Sequence, residues 1–331
     1  MSDVAERAGV SVMTVSNVIN RPDIVADQTR DKVLASMRAL SYRNNLVARS
    51  LRLAQPRQIG YILPSEDTAG NLYMDKFLHE LASACQAEGR NLTLIAEPTH
   101  EAQLKACQDL FYGQSAAGFV IANIKPQDQR PVLLTEYGIP FAAYGQTAAG
   151  NEVPWNWVDA DSAQGVELAV EHLIEIGHTE LAFVGHLPDT VEGDARLRGY
   201  LAACRRRGLE HSIQPSRVVS APNDLEDGLN ATLTLLRSPH PPTAIVCLSD
   251  LLAAGALLAV RDLGMQPGAQ IGITGFDDTP LTSFGSVRIT SVKQPSREIA
   301  RELVRSILEP SDSPQHVLLE PELSIGSSTQ R

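Results

Sequence analysis

The sequence predicts a small all-α head followed by a larger α/β body of two lobes, each built as a doubly wound parallel sheet. Three observations predict it. Residues 1–40 carry only helical periodicity, residues from Gln58 onward alternate short apolar runs with amphipathic stretches, and the charge changes sign between the two parts. At 331 residues the chain is long for one domain and suits two or three. Hydrophobic residues make up 43% and charged residues 20%, which excludes a disordered or fibrous chain. The net charge of −11 conceals an asymmetry: residues 1–58 hold nine Lys/Arg against five acids, a local +4 that leaves −15 for the rest. A basic head on an acidic body is expected when only the head meets phosphates.

The head starts with a short helix, Asp3–Ala8, broken at Gly9. Ser11 can cap a second helix that reaches about Asn20, Pro22 ends that stretch, and a third helix runs from about Asp27 to Leu40. Val4, Ala8, Val15, Val18, Ile19, Val33, Leu34, Met37 and Leu40 supply a minimal core. At about 100° per residue, turning Val15, Val18 and Ile19 inward sends Met13, Asn17 and Asn20 outward, with Val12 and Ser16 flanking. A short helix with an uncharged exposed face, following a tight Gly turn, is how helix-turn-helix proteins present side chains to base edges. A small helical bundle that binds protein fits the same pattern.

In the body the strand candidates are 59–63, 92–96, 118–122, 141–145, 181–185, 217–221, 244–248 and 271–276. Helical stretches at 73–88, 163–176, 196–207 and 251–263 lie between them. Continuous apolar strands joined by helical crossovers mean parallel sheets covered on both faces. Asn45–Pro56 (NLVARSLRLAQP) is a basic joint between the parts. Cys85, Cys107, Cys204 and Cys247 are scattered without ligand spacing and read as buried thiols, so no metal and no disulfide is expected. No apolar run reaches a membrane span and the N-terminus lacks a signal-peptide core, which places the expected protein in the cytoplasm with no membrane partner.

The segment DVAERAGVSVMTVSNVIN, followed by TRDKVLASMRALSYRNNLVARSL, resembles the head and hinge of the LacI/GalR family of bacterial repressors. DSAQGVELAVEHLIEIGH, TAIVCLSDLLAAGALLAVRDLG, IGITGFDDTP and ITSVKQP resemble that family's sensor domain, which is periplasmic-binding-protein-like. The resemblance implies that Val12, Met13 and Asn17 face bases, and that Ser11, Thr14, Ser16 and Asn20 anchor the helix or touch phosphate. It implies a hinge helix over 45–57 whose Leu51 enters a base step in the minor groove, with Arg49 and Arg52 at phosphates; an ordinary linker is the bland alternative. Two departures stand out. The chain starts a few residues into the pattern, without the Thr that usually precedes the first helix. Ala26 stands where a Ser often caps the third helix, leaving Asp27 as the expected cap.

The domain expectation is a head over 1–44, a hinge and linker over 45–57, and a sensing and dimerising body over 58–331. Lobe 1 is expected over about 58–157 and 289–315, and lobe 2 over about 158–288 and 316–331. Ligands bind beyond the carboxyl ends of strands in such sheets. Ser65, Glu66, Asp67, Gly145, Gln146, Ser249, Asp250, Asp277 and Asp278 stand at those ends. By the resemblance Arg196 and Asp277 hydrogen-bond a ligand, while Asn223 and Ser249 occupy positions often polar in the pocket. Tyr73, Phe77, Trp155 or Trp157, and Phe284 are candidates to cover an apolar sugar face, and Asp250 is expected to cap the helix after it. A structural Arg196–Asp277 ion pair with aromatics in the core is the competing expectation.

The expected function is a dimeric transcription regulator, a repressor of a sugar-catabolic operon. It would bind a pseudo-palindromic double-stranded DNA operator under control of a carbohydrate effector. A nucleobase or nucleoside effector is the alternative, and a sugar-binding transport protein a remoter one. No dinucleotide fingerprint, P-loop, nucleophile elbow or zinc-protease motif is present, so neither enzyme activity nor a cofactor is expected.

Overall fold

The structure is a computed structural model that describes residues 1–40, 42, 56–64, 72–125, 127–147, 150, 152–185, 191–283, 285–309 and 311–330. It separates into two compact units, Met1–Gln55 and Pro56–Arg331. Among the described residues no helix is long and apolar enough to cross a membrane.

The first unit holds α1 (Ser2–Ala8), α2 (Val12–Asn20) and α3 (Asp27–Ala39). Gly9 closes α1 in the left-handed region at φ 65°, where glycine carries no Cβ penalty. Val4, Ala5, Val15, Val18 and Val33 form the buried core, with Ala8, Ile19, Met37 and Tyr42 packed on it. Leu34 and Leu40, expected in that core, are 39% and 41% exposed. Leu34 follows the inward Val33 by one residue and so faces about 100° away, and Leu40 lies beyond the last turn of α3. The residue at the N-cap of α3 is Ala26, with no side-chain cap. Asp27 is instead the first helical residue, paired with Arg30 at 2.7 Å.

The second unit contains two six-stranded sheets. The first comprises β1 (Gln58–Ile62), β2 (Asn91–Ile95), β3 (Ala116–Ala122), β4 (Phe141–Tyr144), β5 (Asn156–Ala160) and β11 (His316–Leu319). Its order is β11-β5-β4-β3-β1-β2, parallel throughout. The helices α4 (Leu72–Ala87), α5 (His100–Tyr112), α6 (Arg130–Glu136) and α11 (Ser296–Leu308) belong with it. The second sheet comprises β6 (Leu181–Val184), β7 (Val218–Val219), β8 (Ala244–Cys247), β9 (Gly272–Phe276), β10 (Thr290–Lys293) and β12 (Glu322–Ser324). Its order is β12-β10-β9-β8-β6-β7, and only β12 is antiparallel. It carries α7 (Ser162–Glu175), α8 (Val191–Arg206), α9 (Leu225–Leu236) and α10 (Asp250–Asp262).

Central strands are buried along their whole length, as β8 and β9 show, because helices cover both faces. Sequence order reverses beside β1 in one sheet and beside β6 in the other, so each has a switch point where a crevice opens beyond the strand ends.

The lobe edges differ from the sequence expectation. β5 continues to Ala160, β10 joins the second sheet and β11 the first, so the chain passes between sheets near Asp161, Gln294 and Glu320. After the turn that follows β9, the chain pairs straight back in parallel, Thr290 beside Thr274, which keeps Val292 in the second core. The strands β5, β10, β11 and β12 were not expected from the sequence; they are short or interrupted by polar residues. The 217–221 candidate contracts to two residues.

Helices α9 and α10 touch backbone to backbone at Gly255. A Cβ there would overlap the Leu225 carbonyl oxygen and come 2.7 Å from the Leu229 nitrogen. Gly255→Ala should therefore destabilise the body by about 1–3 kcal/mol, read as a lower thermal midpoint in calorimetry.

Candidate functional site

In the head, Ser11 caps α2: its Oγ accepts from the Thr14 backbone N–H at 3.1 Å and lies 2.9 Å from Thr14 Oγ1. The cap fixes the first turn, leaving Val12 and Met13 standing out at 47% and 69% exposure. These are costly places for apolar side chains unless a partner covers them. Thr14, Ser16 and Asn17 are half-buried beside them. The side chain of Asn20, and Arg49 and Leu51 in the hinge, lie outside the described residues, as do Ser65, Glu66, Asp67 and Phe284. The described face combines a helix N-terminus, which favours phosphate, with exposed side chains that can reach base edges.

In the body, the ends of both sheets face a common cleft. Arg196, in the second turn of α8, is buried; its Nη1 donates to the Leu248 carbonyl at 2.6 Å, and Nη2 lies 3.5 Å from Asp277 Oδ1. Its guanidinium carbon lies 3.7 Å from the centroid of the Phe276 ring. Arg196 Nε is buried without a hydrogen-bond partner among the described residues. Such a donor costs free energy unless something completes it.

Asp277 follows β9 with φ 103° and Asp278 follows with φ 45°, conformations L-residues rarely adopt and keep only where the surroundings over-determine them. Asp277 Oδ1 accepts from Gln294 Nε2 at 2.7 Å, and Gln294 Oε1 accepts from the Tyr73 hydroxyl at 3.2 Å. Burial pushes the Asp277 carboxyl above its usual range, against the pull of Arg196. Lys76 of the first lobe donates to the Asp278 carbonyl of the second at 3.2 Å.

The structure thus brings Tyr73, Arg196 and Asp277 together. Ser249 follows Leu248, and its hydroxyl donates to Asn223 Oδ1. Ser249, not Asp250, caps α10 through Leu252, whereas Asp250 is buried one residue further on and accepts hydrogen bonds from Thr279 and Ser291. Phe77 is not brought to the cleft. It is fully buried, stacked on Tyr144 at 4.3 Å, because it lies one turn deeper than Tyr73 on the inward face of α4. Trp157 is likewise core, stacked on His316, and Trp155 packs beside Phe141.

The cleft also holds residues the sequence did not single out. Tyr144 ends β4, its hydroxyl in contact with that of Tyr73. Asp159, near the end of β5, is 9% exposed and accepts from the Gln146 and Ala160 backbone N–H groups at 3.0 and 2.8 Å. Glu192 in the first turn of α8 reaches toward Gly145 of the other lobe. The polar end of NWVDA was the available signal for Asp159. Among the described residues, no three His, Cys, Asp or Glu side chains converge to hold a metal.

Comparison with known proteins gives a consistent result. The description for bacterial regulatory proteins of the lacI family matches residues 1–45, and that for a periplasmic binding protein-like domain matches residues 170–329. The HTH-type transcriptional repressor PurR of Haemophilus influenzae (strain PittEE) is 29% identical over 311 residues, covering 93% of this chain and 90% of its own. A regulatory protein of LacI family from Chloroflexus aggregans is 31% identical with TM-score 0.73, over 82% of this chain and 98% of that one. A transcriptional regulator CelR–cellobiose complex is 27% identical with TM-score 0.72, over 99% and 98%.

Burial pushes Asp159 up to about 6, and the facing Glu192 adds to the rise; the two backbone donors and Arg196 oppose it. Tyr73 and Tyr144 also face it. The folded state therefore holds this proton more tightly than the unfolded one, so the site loses stability as pH rises from about 4 through about 6. Relative to wild type, Asp159→Asn should gain about 1–2 kcal/mol between pH 5 and pH 8, measured by denaturant unfolding at both. A gap that does not change with pH would contradict it.

Proposed function

Because this chain belongs to the LacI family of bacterial regulatory proteins and is a DNA-binding transcriptional regulator, we propose that it represses from its operator as a dimer under the control of a hydroxylated effector. Residues 1–44 read the DNA, 45–57 form the hinge, and 58–331 sense and dimerise. The effector sits between the lobes, and the protein works in the cytoplasm, where its operator is.

The effector assignment rests above all on Arg196 and Asp277, an unsatisfied buried donor beside a carboxylate held by strained backbone. A sugar hydroxyl both donates and accepts, so adjacent hydroxyls suit such a pair. Tyr73 and Gln294 extend the pattern by one more donor and acceptor. That a regulator of similar fold binds cellobiose supports a carbohydrate here. Lobe closure couples to the head through two states with different operator affinity, and the coupling is reciprocal.

On DNA, Asn17→Ala should cost on the order of 1–3 kcal/mol at a selected pseudo-palindrome of roughly 14–20 base pairs and little on random DNA. Fluorescence anisotropy across a salt series measures both; equal affinity for selected and random DNA would refute sequence reading. In the cleft, Asp277→Ala should weaken effector binding by ~10–100-fold while operator binding persists, so the variant stays on its operator when effector is added. Calorimetric screening of sugars and nucleosides against both proteins tests this. A sugar that binds both equally leaves Arg196 and Asp277 as a structural pair, and a nucleoside as the tightest ligand replaces the carbohydrate.

A further inference from the structure

The cleft is unbalanced in charge, and its geometry shows where. Asp159 comes from the first lobe, Glu192 and Asp277 from the second, and the guanidinium among them is that of Arg196. Arg196 is already committed to Asp277, to the Leu248 carbonyl and to the Phe276 ring. Lys76 lies on the Asp277–Asp278 side, with its ammonium on the Asp278 carbonyl.

Asp159 and Glu192 form no ion pair with a described Lys or Arg, and Arg196 acts on Asp159 only through space. Asp159 accepts only from two neutral backbone N–H groups, and no hydrogen bond or ion pair joins Glu192 to another described residue. The segment that continues β3 carries Lys125, which is not among the groups acting on Asp159, and those that continue β1, β4 and β6 carry no Lys or Arg. Residues 65–71, 148–149 and 186–190 contain Glu66, Asp67 and Asp189 but no Lys or Arg; His186 is the one titratable base. Glu192 Oε1 lies 3.6 Å from where a Cβ on Gly145 would stand, so this carboxylate spans the gap to the strand beside Asp159. Two carboxylates converging from opposite lobes repel one another when the lobes close, unless a positive charge arrives with the ligand.

We propose that the effector carries a protonated amine beside its hydroxyls, held between Asp159 and Glu192, while Arg196 Nε takes one of its oxygens. The chemical class is an aminated, polyhydroxylated small molecule, of which the aminohexoses are the simplest. This rests on the proposed effector role of the cleft and narrows it. The amine bridges the lobes, so it contributes most in the closed state. An anionic group such as a phosphate ester is excluded from the same place by the same charges. Two charge-assisted hydrogen bonds to an ammonium suffice for ~10–100-fold discrimination over the neutral analogue.

The test is calorimetry on the full chain at neutral pH with glucosamine, galactosamine, glucose, N-acetylglucosamine and glucose 6-phosphate. One aminohexose should bind at least about tenfold tighter than its neutral counterpart, and glucose 6-phosphate should be weakest. Glu192→Gln should erase the preference for the aminohexose over glucose. Asp159→Asn should act alike, with the proton released on aminohexose binding near pH 6 disappearing. The inference is overturned if a neutral sugar or the phosphate ester binds as tightly as every aminohexose, if no aminohexose binds, or if Glu192→Gln leaves the preference intact. Failure of the cleft assignment itself looks different: an aminohexose would then bind Asp277→Ala and Glu192→Gln as tightly as wild type.

Discussion

A buried carboxylate that caps nothing holds the cleft end of the second lobe in place. Asp250 is 1% exposed in the first turn of α10, yet its bonds run to other elements. One oxygen accepts from the backbone and hydroxyl of Thr279, at 2.7 and 2.9 Å, and the other from the hydroxyl of Ser291 on β10. The Ser291 hydroxyl in turn accepts from the Asp278 N–H at 3.0 Å. Helix, strand and turn are thereby tied to one point. Burial, together with the nearby Asp277 charge, pushes Asp250 up to about 7, against three compensating hydrogen bonds. That cost persists because the bonds over-determine the turn 277–279. Two successive residues with positive φ would otherwise relax toward ordinary conformations, at a gain of about 1–3 kcal/mol each. The turn that carries Asp277 inherits its aim from Asp250.

The position of the cleft follows from a second constraint. Parallel strands put all their carboxyl ends on one side, so two such sheets in one chain can face each other end to end across the segments that link them. Those links are short here, and two are tied together: the Asp161 N–H donates to the Leu319 carbonyl at 2.8 Å. The third link carries Gln294, whose amide touches Asp277 on one side and Tyr73 on the other. The linkage is therefore also part of the cleft wall, and a change in lobe angle cannot leave the hydrogen bonds of the cleft unaltered.

Much of this was legible in the residues, and the failures have physical causes. The inward face of α2 followed from spacing, because Val15, Val18 and Ile19 admit only one helical orientation. Tyr73 and Phe77 share a helical face for the same reason, but spacing does not give depth, and only Tyr73 reaches the rim. Ser249 and Asp250 are adjacent and chemically able to cap; which does so depends on where α10 begins, a matter of one residue. Asp159, Glu192 and Gln294 were missed because their meeting is a property of two sheets facing each other. The polar end of NWVDA marks Asp159 as unusual, but nothing near it in sequence names its neighbours. The assignment of β10 and β11 failed for a related reason: sequence order says when a strand arrives, whereas partner choice depends on which edge is open.

That last point bears on how the chain assembles as it is made. The strands β11 and β12 are edge strands of different sheets, and each comes after every other strand of its sheet in sequence. Until residues 316–324 have left the ribosome, β5 and β10 each present an unpaired flank with free backbone donors and acceptors. The helix α11, which packs on the first sheet, also arrives only after the second lobe has been threaded. The first lobe therefore cannot finish as an independent early unit, and the usual advantage of folding an N-terminal domain first is lost. A nascent chain of this topology carries the open β5 edge from residue 160 until β11 arrives, and both edges together in the stretch between β10 and the final strands. Its vulnerability to aggregation is greatest before the final strands arrive, not while the small head is emerging.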